Sequence, residues 1–405
     1  MELTPRPDHV PPELVYDFDL YSLRAEEEDV QAMWRGLRDR APAAIFWTPR
    51  HGGHWVATRA EHVEDVQIDY ERFSHRKMNI PMSDYQLANP ALPLGADPPV
   101  STPFRALIMP AFLPAAVNRL TGTVQSVASE LAEQLAPRGG CEFMTEFARI
   151  LPVVVFLSMV DLPLEDRPML QALSEQLSRS GSREKRQQSQ EKMREYLGGW
   201  IRKRTAEPGD DLISRICRAE INGRPITLDE TQRVCSLLVF GGLDTVASMI
   251  GFAARHLAVN PHNRRKVRER LDDPARMRVI VEELIRRHAL SNTAREITHD
   301  LVYKGVQLKK GEQILIPNVF AGLDEAKVER PLEVDFDREM PIYHATFGNG
   351  VHTCPGATLA RREITVFLRE WLSRIPDFEV KPGTHPLSVS GSTNTIVSLE
   401  LVWEV

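Results

Sequence analysis

The chain contains 405 residues, of which 42% are hydrophobic and 26% are charged, and its formal net charge is −6. This composition is typical of a soluble globular protein, and so mild an acidic excess argues against nucleic acid or an anionic membrane as the main partner. The four cysteines show no Cys-x-x-Cys or Cys/His zinc spacing, which excludes a disulfide framework and favours a reducing cytoplasm. Residues 1–30 lack the basic start and apolar run of a signal peptide.

The predicted elements begin with a Pro-rich, irregular N-terminal arm over residues 1–25 and helical spacing over 26–40. Two β-rich runs meet at Gly52-Gly53 and predict a pair of strands. Helical patterns dominate the chain beyond Arg59. They cover residues 60–70, 102–112, 114–137, 141–160, 164–178, 186–206 and 209–219.

Two segments lack this periodicity. Residues 78–103 contain several prolines and predict a lid-like loop, and the polar residues 179–195 predict a second lid-like loop or a solvated turn. Residues 228–259 predict a long helix that crosses the core, because its middle is apolar. Short strand patterns follow Asn292 and return after Phe378. Since no repeat or linker is present, the sequence predicts a single domain over 1–405 that is mainly α with small β-sheets.

The most informative motif runs from Phe347 to Gly356 and reads Phe-Gly-Asn-Gly-Val-His-Thr-Cys-Pro-Gly. Its glycines let the backbone approach a flat ligand and aim N–H groups at the sulfur of Cys354, where such donors stabilise a thiolate. A lone cysteine is more often a small buried hydrophobe, and Gly-x-Gly is common in turns. The whole pattern decides between these interpretations, because it resembles the haem-binding signature of the cytochrome P450 family.

Two further motifs carry chemistry. Two adjacent glycines, Gly241 and Gly242, stand in the middle of the apolar helix, where each costs about 1 kcal/mol relative to alanine. This cost suggests that either a ligand or a closely packed helix occupies the space that larger side chains would fill. The Thr245 hydroxyl can bond the Gly241 carbonyl, which would loosen the helix and open a groove. Glu283 and Arg286 lie three residues apart, so they can pair on one helical face.

The three motifs stand in the order and at the distances of the cytochrome P450 family. Over nearly its whole length the chain resembles the soluble bacterial members, above all the camphor 5-monooxygenases. The resemblance implies the cytochrome P450 fold, with haem b between the long central helix and the cysteine loop and the Cys354 thiolate as axial iron ligand. It implies a monooxygenase that uses O₂ and in which Asp244 and Thr245 deliver protons. It also implies that Arg179 pairs with Asp244.

The resemblance assigns the other site residues as well. Arg105, Arg295 and His352 would hold the haem propionates. Glu283, Arg286 and Arg338 would hold the cysteine loop in a structural role. The further cofactor contacts that it implies are Gly241, Gly242, Thr346, Phe347, Gly348, Gly356 and Ala360. The substrate contacts that it implies are Asn89, Leu237, Phe240, Ser291, Ser392 and Thr393.

The departures from the camphor hydroxylases fall where the substrate would lie. Asn89, or Ala88 with a one-residue slip, stands where the resemblance implies the tyrosine that anchors the camphor ketone. Bulky Phe240 precedes the paired glycines, and Thr293 stands where the resemblance implies a propionate-binding aspartate. We therefore expect a small, rigid, apolar substrate, a bicyclic monoterpenoid. Without the tyrosine, a cineole-like cyclic ether is favoured over camphor.

Electrons must come from a separate protein, because the chain carries no flavin, nicotinamide or iron–sulfur motif. The resemblance implies a small [2Fe–2S] ferredoxin with an NADH-dependent reductase. Its expected docking patch comprises Arg72, Arg76, Lys77, Arg105, Arg361 and Arg362. A cytoplasmic monomer that binds neither nucleic acid nor membrane is expected. The alternatives are a haem-binding sensor or carrier and a peroxide-using haem protein, and the Asp244–Thr245 pair counts against both.

Overall fold

The helices dominate the structure, a computed structural model that describes residues 3–26 and 29–405. Their bounds are α1 Val30–Arg40, α2 Ala60–Ile68, α3 Asp84–Ala88, α4 Ser101–Ile108, α5 Pro114–Leu135, α6 Ile150–Val160, α7 Arg167–Arg179, α8 Arg183–Ala206, α9 Leu212–Cys217, α10 Leu228–Leu243, α11 Thr245–Val259, α12 Pro261–Arg268, α13 Pro274–Arg287, α14 Val319–Gly322 and α15 Ala357–Arg374.

The strands are short and form small sheets. Their bounds are β1 Arg24–Ala25, β2 Ile45–Thr48, β3 His54–Ala57, β4 Phe73–Ser74, β5 Gly140–Glu142, β6 Glu220–Ile221, β7 Arg224–Pro225, β8 Asn292–Ile297, β9 Leu301–Tyr303, β10 Val306–Leu308, β11 Gln313–Pro317, β12 Glu379–Val380, β13 Leu387–Val389, β14 Thr395–Ser398 and β15 Glu400–Val402. The predicted pair around Gly52-Gly53 is the antiparallel pair β2–β3. A mainly α fold with small sheets is thus confirmed.

The largest sheet has the order β2-β3-β11-β8-β4. Strand β11 pairs parallel with β3 and antiparallel with β8, so β11 lies at the centre of this sheet. One three-stranded sheet, β1-β13-β14, joins the two ends of the chain, and another, β12-β15-β5, joins the C-terminal strands to β5. Strand β14 packs against α11.

The predicted central helix is present as α10 followed directly by α11. A capping box between Thr227 and Glu230 begins α10, and the helix breaks at Asp244, whose φ is −118°. Length and composition alone would allow residues 228–259 to span a membrane, but 67% of their most apolar window is buried inside the protein. Such burial is typical of a core helix.

The lid-like loop predicted over residues 78–103 is wrong in part, because α3 lies inside it and α4 begins at Ser101. Ser83 begins α3 through a capping box with Gln86. A helix of five residues is too short to show a helical period among the surrounding prolines, which is why the pattern predicted only a loop.

The lid-like loop predicted over 179–195 is wrong. Only residues 180–182 separate α7 from α8. Ser182 accepts a hydrogen bond from the Lys185 N–H and begins α8. The polar sequence conceals a buried face, since Arg186 and Met193 are enclosed by the protein.

From residue 3 onward the N-terminal arm is irregular apart from a 3₁₀ turn at Pro12–Leu14, a β-bridge between Val15 and Trp47, and β1, which pairs with β13. The helix predicted from residue 26 begins at Val30 and is capped by Asp29. Residues 27 and 28 of that prediction lie outside the described residues.

Candidate active site

The cysteine loop, residues 347–356, is held in one conformation by glycines and by its own backbone. Gly348 and Gly350 have φ values of +71° and +70°, which favour glycine. A Cβ at position 350 would lie 3.2 Å from the Ile68 Cα. The Cys354 N–H donates to the Phe347 carbonyl at 2.8 Å and closes the loop. The loop backbone therefore fixes the position of the Cys354 side chain.

The Cys354 thiol lies deep in the protein beside open space. Burial raises its pKa, and this effect outweighs the Gly356 N–H, Arg105, Arg361 and the Ala357 N–H, which all lower the pKa. The side chain is nevertheless exposed. A thiol that protein surrounds and that still has accessible surface borders an internal cavity. The Gly356 and Ala357 donors act in the direction expected from the motif, since they favour the thiolate.

A second exposed face lies on α10, although this helix crosses the core. Leu237, Phe240, Gly241 and Thr245 recur at helical spacing, and none of them is fully buried. A Cβ at Gly241 would meet nothing within 4 Å, whereas a Cβ at Gly242 would lie 2.6 Å from the Phe156 ring. The structure therefore agrees with close helix packing at Gly242, while the ligand interpretation stays a prediction for Gly241. Gly241 faces open space, and Gly242 lets α10 pack against α6.

The helix break at Asp244 has the geometry that the sequence predicts. The Thr245 hydroxyl donates to the Gly241 carbonyl at 2.9 Å. Arg179 Nη2 lies 2.9 Å from Asp244 Oδ1, so the predicted ion pair is present. The other carboxylate oxygen of Asp244 is buried and has no hydrogen-bond partner among residues 3–26 and 29–405. A buried acid and a hydroxyl thus stand next to each other at the edge of open space.

Arg295 on β8 is a buried guanidinium with unused donors. It donates to the Thr293 hydroxyl at 3.1 Å and to the Ala294 carbonyl at 2.7 Å, while its Nε has no partner. Burial lowers its pKa to about 9, and only the charge of Asp97 opposes this. A buried guanidinium that lacks a bonded carboxylate needs an anionic ligand.

Two histidines lie beside this guanidinium. His352 is buried, and its Nε2 has no hydrogen-bond partner, the nearest carboxylate oxygen being that of Asp97 at 3.8 Å. The ring of His75 stacks on it with 3.7 Å between the ring centroids. His75 and Asp97 escaped the sequence analysis as site residues. No spacing signal marks them, because only the packing of β4 and β8 brings them to His352.

Arg105 on α4 approaches the cysteine loop from another side. Its Nη2 donates to the Thr353 carbonyl at 2.6 Å. Burial lowers its pKa, and the nearby Cys354 thiolate would raise it. The structure therefore brings Arg105, Arg295 and His352 to the surroundings of the cysteine loop, as the sequence predicts.

The Glu283–Arg286–Arg338 cluster is fully formed. Glu283 accepts hydrogen bonds from Arg286 at 2.7 and 2.8 Å and from Arg338 at 2.9 Å, and its side chain is completely buried. Arg286 also donates to the carbonyls of Gly322, Pro331 and Glu333. These bonds connect α13 to the segment that leads into the cysteine loop.

The remaining expected cofactor contacts line the two ends of that loop. The Thr346 hydroxyl donates to the Ile285 carbonyl at 2.9 Å, so it anchors the loop to α13. The guanidinium of Arg361 lies 4.5 Å from the centroid of the Phe347 ring. Ala360 lies half-buried in the first turn of α15.

The structure does not support Asn89 and Ser392 as polar substrate contacts. The Asn89 amide donates to the Tyr85 carbonyl at 3.1 Å and accepts from Arg194 at 2.8 Å, so both its ends are occupied. The Ser392 hydroxyl accepts from Arg186 at 3.1 Å. Both are engaged by arginines of α8, Arg186 and Arg194, and no sequence spacing marks either pairing.

Ser291 and Thr393 form a β-bridge with each other, so the structure brings these two expected contacts together. Both are half-buried, and neither hydroxyl has a hydrogen-bond partner within the described part of the chain. Two unoccupied hydroxyl groups are therefore available at this bridge.

Comparison with known proteins agrees with this site. The family model "Cytochrome P450" matches residues 176–400. The chain is 34% identical to the probable cytochrome P450 127A1 of Sinorhizobium fredii (strain NBRC 101917 / NGR234), covering 100% of this chain and 98% of that protein. The crystal structure of CYP101J2 matches with a TM-score of 0.89 and 38% identity, and that of CYP101C1 with 0.87 and 40%. Each match covers 99% of this chain and 100% of the other.

The residues present fit haem b. The accessible Cys354 thiol, just before α15, suits the axial position of haem iron, and the space beside Gly241, where a Cβ would meet nothing within 4 Å among the described residues, leaves room for a flat macrocycle. The unsatisfied donors of Arg295 and His352 suit the two propionates. Haem with the Cys354 thiolate as its axial ligand is therefore the cofactor. The chain belongs to the cytochrome P450 family and is a haem-thiolate monooxygenase of the bacterial type to which the camphor 5-monooxygenases belong.

Proposed function

We propose that this enzyme hydroxylates a small, rigid, apolar substrate, a bicyclic monoterpenoid, in the cytoplasm and draws electrons from a [2Fe–2S] ferredoxin. When bound, haem supplies the activation of O₂ and the insertion of one oxygen atom into a C–H bond. The observation that carries the proposal is the interrupted helix at Asp244–Thr245 beside the exposed face of α10.

Thr245 and Asp244 deliver protons in this proposal. Because the Thr245 hydroxyl donates a hydrogen bond to the Gly241 carbonyl, the lone pairs of its oxygen stay free to accept a hydrogen bond from a ligand or water. Asp244 is paired with Arg179 on one oxygen only. Separation of Arg179 from Asp244 would let the carboxylate reach water and pass protons to the hydroxyl. Arg105, Arg295 and His352 hold the propionates.

The variant Thr245→Ala tests this function with electrons supplied from NADH through a ferredoxin and its reductase. We expect haem content, substrate binding and NADH oxidation to be kept, while product per NADH falls at least about tenfold and peroxide rises, because proton delivery is lost. Thr231→Ala is the matched control, since Thr231 on α10 makes the same kind of bond to the carbonyl four residues back, at 2.9 Å.

If the Thr245→Ala enzyme keeps the wild-type ratio of product to NADH, Thr245 has no role in proton delivery and serves only as part of the helix. Wild-type enzyme that holds haem but oxidises no NADH with such a donor would favour the sensor or carrier. Product formed with peroxide alone, at the rate of the complete electron chain, would favour the peroxide-using alternative.

The substrate proposal follows from which polar groups remain free. The Asn89 amide donates to the Tyr85 carbonyl and accepts from Arg194, so it offers no free donor to a ketone in place of the missing phenol. The free hydroxyls of Ser291 and Thr393 donate weakly to an ether oxygen, and Leu237 and Phe240 supply apolar surface. A rigid bicyclic molecule buries its surface against these side chains with little conformational entropy to lose.

Titration with a panel of monoterpenoids, followed by the low-spin to high-spin shift, measures this preference. We expect a cineole-like ether to bind at least as tightly as camphor, because the missing phenol removes a bond worth about 0.5–1.5 kcal/mol. Thr393→Val is expected to weaken ether binding a few-fold, and Asn89→Ala is not. Tightest binding of camphor, with hydroxylation at one position and full coupling, would contradict the proposal.

The ferredoxin proposal is supported by cations around the cysteine loop that form no ion pair with a carboxylate among the described residues. Arg76 is exposed, Arg105 is bonded to a carbonyl, and Arg362 is bonded to the Asn118 amide at 2.9 Å. The other members of the expected patch are less available, because Arg72 is paired with Asp69, Lys77 with Glu296 at 2.8 Å and Arg361 with Glu282. Since Arg105 is assigned to a propionate, an acidic ferredoxin is expected to contact Arg76 and Arg362 first.

A further inference from the structure

His75 occupies an unusual position for a histidine without an assigned role. It begins the short 3₁₀ turn His75–Lys77 that follows β4, and it is only 3% exposed. Its ring lies 3.7 Å from the His352 ring, centroid to centroid, with an angle of 32° between their planes. Both ring nitrogens are buried and make no hydrogen bond of regular geometry within the described residues.

Two unsatisfied polar atoms in a buried ring are unfavourable, because a buried donor without a partner has lost its hydrogen bonds to water. Burial lowers the pKa of His75, and the charges of Arg295 and His352 lower it further, while the Leu94 carbonyl acts in the opposite direction. The ring is thus held neutral, with one N–H to donate.

The carboxylate that lies beside this cluster does not satisfy the ring. Asp97 Oδ1 accepts the backbone N–H of His75 at 3.0 Å, and Oδ2 accepts the Ser74 hydroxyl. Arg295 Nε and His352 Nε2 lack partners as well. The hydrogen-bond donors of Arg295, His352 and His75 therefore outnumber the protein acceptors that lie near them. Two further carboxylates, those of the haem, would supply what is missing.

We propose that His75 is a fourth propionate-binding residue, which donates a ring N–H to a haem carboxylate beside His352 and Arg295. This inference rests on the proposed assignment of Arg105, Arg295 and His352 to the propionates. The stacking fixes the His75 ring against His352, so the two imidazoles and the guanidinium meet the acidic edge of the haem together.

The variant His75→Phe tests the inference, because phenylalanine keeps a ring to stack on His352 and removes both nitrogens. Haem transfer from the ferric protein to excess apomyoglobin is expected to become about tenfold faster, as a bond to a charged group is lost. The ferric–ferrous reduction potential is expected to become more negative, since a less neutralised propionate favours the ferric state. His75→Gln returns an N–H donor and should restore most of both values.

The matched control is His62→Phe. His62 is also buried, at 4% exposure, has an unpartnered Nδ1, and packs edge-to-face on Tyr303 at 5.9 Å, away from the cysteine loop. A His75→Phe protein that matches His62→Phe in haem loss and potential overturns the inference. If His75→Phe does not fold, His75→Leu replaces it in the test, with the same expected changes in haem transfer and reduction potential.

Arg295→Gln separates this inference from the assignment on which it rests. Wild-type haem retention in Arg295→Gln would refute the shared propionate site. Faster haem loss in Arg295→Gln together with wild-type behaviour of His75→Phe would refute the role of His75 alone. Faster loss in both, with rescue by His75→Gln, supports the fourth contact.

Discussion

Cys354→Ser is expected to abolish the red-shifted Soret band of the ferrous carbonyl complex and to reduce hydroxylation below detection. A serine oxygen does not provide the electron-rich sulfur ligand that favours O–O cleavage. The cysteine loop itself should persist, because its shape depends on Gly348, Gly350 and the Cys354 backbone N–H rather than on the sulfur. Difference spectra of the reduced protein under carbon monoxide measure the change.

The control is Cys141→Ser, which removes a buried thiol from β5. Burial raises the pKa of the Cys141 thiol to about 12, so this residue stays a neutral thiol and its loss should leave the spectrum unchanged. A red-shifted band that survives in Cys354→Ser would mean that another residue binds the iron.

Glu283→Ala is expected to lower the free energy of unfolding of the holoenzyme by about 3–5 kcal/mol, because it leaves buried guanidiniums without their carboxylate. Arg286 is fully buried, and Arg338 is largely covered. The same change frees the segment before the cysteine loop, so haem is expected to dissociate earlier in the transition. Urea unfolding followed by far-UV circular dichroism and by the Soret band measures both effects.

The matched control is Glu325→Ala. Glu325 also bonds two arginines, Arg35 and Arg38, but its side chain is 45% exposed. Solvent screens such a pair, so its loss should cost less than about 1 kcal/mol. An equal loss of unfolding free energy in the two variants would show that the burial of Glu283 does not increase its contribution to stability.

The parts of the site that could be predicted are those in which local sequence determines geometry. The glycines of the cysteine loop require left-handed backbone, and Thr245 can reach only the carbonyl four residues back, so both features were visible before the fold. The Glu283–Arg286 pair follows from helical spacing. For these residues the sequence spacing alone determines the contact, because the partners lie within a few positions of each other.

The parts that escaped prediction depend on packing between distant segments. Helix α8 has a polar sequence, yet Arg186 is buried in it and bonds both the Leu177 carbonyl and the Ser392 hydroxyl. Arg194 of the same helix occupies Asn89, which sequence position alone assigned to the substrate. His75 meets His352 from 277 positions away in the chain. No local pattern encodes such a meeting.

The two adjacent glycines of α10 will have had different evolutionary histories. A larger residue at Gly241 enters open space and disturbs no protein atom, so drift at this position is limited only by what the enzyme must bind. A larger residue at Gly242 collides with Phe156, so it is acceptable only after position 156 has become smaller. Among descendants of one ancestor, position 241 should therefore vary with ligand, and positions 242 and 156 should change together.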